Sequence, residues 1–83
     1  MASQKERIIP IEHIQRIKQI GEKIKELRLQ SGKLSYEGFA YKNGIQRITY
    51  FNLESGKNFN MSTLLKVLDA HSMTLEEFFK GLK

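Results

Sequence analysis

The chain has 83 residues, enough for one domain near the small end of what folds unaided. Hydrophobic residues make up 40% and cysteine is absent, which excludes a disulfide framework or a thiolate zinc site and fits a cytoplasmic setting. The formal charge is +5, and residues 1–58 carry the whole surplus, a bias that suits a polyanionic partner or is simply solvated charge.

Residues 1–10 read as an arm, ended by the only proline, Pro10, which suits the first turn of a helix. The polar, charged start is not a signal peptide, and no apolar run approaches the ~18 residues of a membrane span. A domain over residues 11–83 follows, opening on a long helical pattern over 11–31 that closes at Ser31-Gly32. At 100° per residue, Ile17, Ile20, Ile24 and Leu27 fall within about 80° of one another, the geometry of a core stripe. Ile14 lies at its margin and Ile11 points away. With Ile8 and Ile9 they make a second apolar patch that the stripe does not bury.

Ser35 is a good N-cap for a second helix over 35–43, with Glu37 in its first turn and Phe39 and Ala40 facing inward. Asn43-Gly44 closes it, because both residues tolerate the positive φ of a sharp turn. A third helix over 46–54 turns Tyr50 and Leu53 inward and ends at Ser55-Gly56. Asn60 caps a fourth, with Leu64, Leu65, Val67 and Leu68 on its buried side. Thr74 and Glu77 have the spacing of a capping box for a fifth, from which Leu75, Phe78, Phe79 and Leu82 pack onto the core. Five helices and no convincing strand make the chain all-α. The pair hinged at Asn43-Gly44 has the spacing of a helix-turn-helix.

Four segments extend this reading: IGEKIKELR at 20–28, SYEGFA at 35–40, GIQRITYFNLESGK at 44–57 and TLEEFF at 74–79. In that order they resemble the lambdoid phage repressor and Cro-like (xenobiotic-response-element type) helix-turn-helix family, over about residues 20–79. Each piece alone is unspecific; the ordered set is specific. The resemblance implies a compact, lambda-repressor-like five-helix fold. It also implies sequence-specific binding of double-stranded DNA by a small bacterial or phage transcriptional regulator, a repressor, with helix 46–54 in the major groove. Three departures matter. The turn SGKLS is one residue longer than the family's usual version, and Gln46 stands where Ser or Thr commonly caps the recognition helix. Tyr50 occupies a position usually filled by a smaller aliphatic residue, and Gly38 either makes room for its ring or is simply tolerated on an exposed face.

The solvent face of that helix comprises Gln46, Arg47, Ile48, Phe51 and Asn52, the candidate base contacts. Arg47 can fork onto guanine O6 and N7, and Asn52 can pair with adenine N6 and N7. The resemblance likewise puts base contacts at Arg47, Ile48 and Asn52. Ile48 and Phe51 fit thymine methyl groups, a protein partner, or ordinary stray surface hydrophobes.

Ser35 and Tyr36 begin the second helix, where free N–H groups attract an anion, and in the family this corner sits on the DNA backbone. Ser55, Lys57 and Asn58 resemble the family's other phosphate anchor. Lys42 is a third candidate, or a solvated lysine. The family pairs an arginine with a glutamate at the places of Arg28 and Glu54, to fix the recognition helix on its scaffold.

Catalysis finds no support. His13 and His71 belong to no metal-spaced cluster, the glycines form no phosphate loop, and no serine sits in a nucleophile elbow. No cofactor, metal, small-molecule ligand or membrane partner is expected. A homodimer is, through Ile8, Ile9, Ile11 and Ile14 or through the C-terminal helix with Leu82. The rival reading is a protein-interaction module on the same fold, such as an antitoxin or anti-repressor subunit.

Overall fold

The computed structural model describes residues 9–32 and 35–82. Residue 8 of the apolar N-terminal patch, most of the 1–10 arm and positions 33 and 34 of the long turn therefore lie outside the described residues. Within them the chain forms five helices, α1 Ile11–Ser31, α2 Tyr36–Lys42, α3 Arg47–Glu54, α4 Met61–Ala70 and α5 Leu75–Lys80. No described helix is long and apolar enough to cross a membrane.

Side chains start most of these helices. The Ser35 hydroxyl accepts from the Gly38 N–H at 3.0 Å, and the Asn60 carbonyl oxygen accepts from the Thr63 N–H at 3.0 Å. Thr74 and Glu77 form a reciprocal capping box. At α1 the cap is Pro10, one residue before the helix rather than in its first turn, and its carbonyl accepts from the His13 and Ile14 N–H groups. Gln46 precedes α3 with no side-chain cap, as its chemistry suggested.

One backbone device ends three helices. At Gly44 (φ 68°), the Gly44 N–H donates to the Tyr41 carbonyl and the Ile45 N–H to the Ala40 carbonyl. This double closure is a Schellman turn. Asn43 keeps a negative φ of −105°, so glycine alone takes the left-handed position, while the Asn43 side chain donates to the Phe39 carbonyl. Gly56 repeats the pattern after α3, with Lys57 N–H on the Asn52 carbonyl, and Ser72 repeats it after α4, with Met73 N–H on the Leu68 carbonyl. Gly32 instead leaves α1 in extended backbone.

The core gathers Ile24 from α1, Phe39 and Ala40 from α2, Tyr50 and Leu53 from α3, Leu64, Val67 and Leu68 from α4, and Phe78 from α5. Ile45 fills the α2–α3 turn, and Ile20, Leu27 and Leu82 pack against the cluster. Three inward assignments were wrong. Leu65 is exposed because Leu64, Val67 and Leu68 already complete the buried stripe of α4, and it falls one residue round. Leu75 and Phe79 are exposed because α5, at six residues, buries a single position, Phe78.

Candidate nucleic-acid interface

The α2–α3 unit is held from behind. The Arg28 Nε donates to Glu54 Oε2 at 2.7 Å and Nη2 to Oε1 at 3.0 Å. The two side chains are 9% and 8% exposed. The hydrogen bond to Glu54 raises the Arg28 pKa, against an opposing effect of burial. Tyr50 buries its ring in the core, stacked 5.0 Å from Phe39, and its hydroxyl lies near this ion pair without a hydrogen bond of regular geometry. Burial above all pushes that hydroxyl's pKa well up, so it stays protonated.

A second fixture is steric. A Cβ on Gly21 would lie 2.9 Å from the Glu54 carbonyl oxygen and 3.0 Å from the Gly56 nitrogen, and still closer to the Leu53 carbonyl. The α1 backbone therefore runs directly against the end of α3. The apolar periodicity of α1 assigns Gly21 no role. The available signal was a glycine inside a strongly periodic helix, which costs ~1 kcal/mol relative to alanine and so marks a close approach.

On the outer face of α3, Gln46, Arg47 and Ile48 are exposed, Ile48 at 61% and Phe51 at 40%. Asn52 is half-buried beside a polar groove of about 330 Å³ lined with Thr49, Asn58, Phe59, Asn60 and Thr63. The structure brings it together with the Asn58 end of the interface rather than setting it on the open face. Gln46 Oε1 accepts from the Thr49 hydroxyl at 3.4 Å.

Two contacts escaped the sequence reading, and both tie α2 to these side chains. The Tyr36 and Phe51 rings lie 5.1 Å apart, and Glu37 Oε2 stands 3.5 Å from Arg47 Nη1. Contacts between helices ten to fifteen residues apart leave no periodic trace.

The phosphate candidates divide. Ser35 and Tyr36 lie at the start of α2, next to α3 through the Tyr36–Phe51 contact, and Ser55, Lys57 and Asn58 lie beyond the end of α3. The Ser35 hydroxyl accepts the cap bond and keeps its own proton to donate. Lys42, at the opposite end of α2, lines a different cleft of about 190 Å³ with Arg28, Asn43 and His71.

His71 packs its ring 5.2 Å from that of Phe39, as a core-edge histidine, with its Nε2 buried and unpartnered. Burial lowers its pKa. Among the described residues no group of three or more His, Asp or Glu side chains could hold a metal ion.

No family model matches the chain, and no solved structure matches it. The chain is similar to the control protein C.MunI from a Mycoplasma species, at 34% identity over 64 residues, 76% of this chain and 86% of that relative. With the helix-turn-helix geometry above, that similarity assigns the chain: it belongs to the Cro/CI-type helix-turn-helix regulatory family of control protein C.MunI, a family of small non-catalytic regulators.

Proposed function

We propose that the protein binds double-stranded DNA in a sequence-specific manner as a transcriptional regulator, acting as a repressor, with residues 46–54 in the major groove. The observation that carries this reading is the α2–α3 unit, clamped from behind by Arg28–Glu54 and presenting Arg47, Ile48 and Phe51 outward, with Asn52 half-buried in the groove beside them. Arg47 and Asn52 supply hydrogen-bonding readers, Gln46 a further polar one, and Ile48 and Phe51 apolar contacts to thymine methyls. Ser35 and Tyr36 on one side and Ser55, Lys57 and Asn58 on the other anchor phosphates. Lys42, lining a different cleft, is the weakest of the anchors. Residues 11–83 are the DNA-binding unit and 1–10 its arm, in the cytoplasm.

A reader of this size contacts few base pairs, so a homodimer on a palindromic site, with half-sites about 34 Å apart, completes the proposal. Ile11 and Ile14, exposed at 67% and 46%, support the N-terminal patch with Ile9 as its surface. Leu82 packs against the core, which leaves Leu75 and Phe79 as the apolar side chains the C-terminal route offers.

Selection of bound duplexes from a random pool, followed by titration across salt, tests the reading. Log Kd should change with log salt by about 0.9 per phosphate contact. Absent or salt-insensitive binding, with a partner protein co-purifying, would support the protein-interaction module instead.

A further inference from the structure

We propose that Glu37, on α2, is a specificity-determining residue of the DNA-binding face, acting through Arg47; this rests on the DNA-binding reading above. Consecutive residues of α2 engage consecutive turns of α3. Tyr36 meets the Phe51 ring at 5.1 Å, and Glu37 Oε2 lies 3.5 Å from Arg47 Nη1. The first turn of α2 is itself pinned by the Ser35 cap on Gly38 N–H. Glu37 is therefore delivered beside Arg47 by backbone geometry.

Two consequences follow from the charges. An arginine on a recognition helix ordinarily adds to sequence-independent attraction by the phosphates. With Glu37 beside it, part of the Arg47 charge is offset, and DNA of arbitrary sequence is bound more weakly. The pairing uses Nη1. The Nε and Nη2 donors lie along the other edge of the guanidinium, in the geometry that forks onto guanine O6 and N7. Contact at Nη1 leaves that edge available to a base. Glu37 thus lowers affinity where Arg47 meets no guanine and leaves it where Arg47 does.

The test is a double-mutant cycle with Glu37→Gln, Arg47→Ala and the double variant, on a selected duplex and a scrambled one across a salt series. Both positions are exposed, and thermal melting checks that each variant folds. The expected result for Glu37→Gln is tighter binding of the scrambled duplex, by up to about fivefold for an exposed ion pair. The ratio of selected to scrambled affinity falls, and the salt slope steepens by up to about 0.9. In the Arg47→Ala background, Glu37→Gln no longer changes that ratio. Equal shifts on both duplexes, or a change in ratio that persists without Arg47, overturn the proposal while the DNA-binding reading stands. A wild-type protein with no salt-dependent duplex binding overturns both.

Discussion

The Arg28 guanidinium closes on the Glu54 carboxylate with two hydrogen bonds at a point where both side chains are more than nine-tenths buried. The pair joins α1 to the last residue of α3, so the tilt of α3 depends on it. Glu54→Gln or Arg28→Met should cost about 3 to 5 kcal/mol, because each strands a buried charge. Urea denaturation should show the loss, and replacing both residues with apolar ones should recover part of it. A loss under ~1 kcal/mol would mean that water reaches the pair.

Gly21→Ala should destabilise the protein although alanine is the better helix former. The new methyl would meet backbone of the α3 end, the Glu54 carbonyl at 2.9 Å and Gly56 nitrogen at 3.0 Å, which cannot swing aside as a side chain can. The expected loss is about 1 to 3 kcal/mol. Gly32→Ala, with nothing within 4 Å and extended backbone, serves as a control with little change. The two midpoints of denaturation should therefore separate clearly.

Ser72→Gly should stabilise. Ser72 occupies the left-handed position of the third Schellman turn with φ 52°, where Gly44 and Gly56 serve in the other two. Removing its Cβ should gain about 1 kcal/mol, seen as a rise in melting temperature. No rise would mean that the serine is compensated within the turn.

Stability should fall on acidification through the histidine range. Burial lowers the folded-state pKa of His71, so the unfolded chain takes up this proton first. The contribution is complete above about 6.5, the ordinary histidine value, and is lost as the pH drops below it toward the folded-state pKa. Melting at pH 7.5 and 5.5 should show the difference, and His71→Phe should flatten it.

On DNA, Arg47→Ala should weaken the preferred duplex by about 1 to 3 kcal/mol more than a scrambled one, as expected for a lost guanine contact. Lys57→Ala should weaken both alike and flatten the salt slope by about 0.9. Fluorescence anisotropy titrations distinguish them. Equal losses from both variants on every duplex would mean that Arg47 reads no base.

What the sequence disclosed was mostly local. The caps at Ser35, Asn60 and Thr74–Glu77, the glycine turns and the inward faces of α2 and α3 rest on residues within five positions of one another, and all are present. The errors at Leu65, Leu75 and Phe79 share a cause: an apolar residue signals a core only if a neighbouring element remains to cover it. The outer face of α3 was legible from periodicity, but its coupling to α2 through Glu37 and Tyr36 was not, since that depends on how two helices cross.

The helix carrying Arg47 and Ile48 lies between two left-handed glycine joints, at Gly44 and Gly56. Its orientation is set by backbone turns and by the buried side of α3, while Arg47 and Ile48 add nothing to the core. The chemistry of the outer face and the stability of the fold are thereby written in separate sets of residues. A chain built this way can exchange the residues on its outer face without refolding.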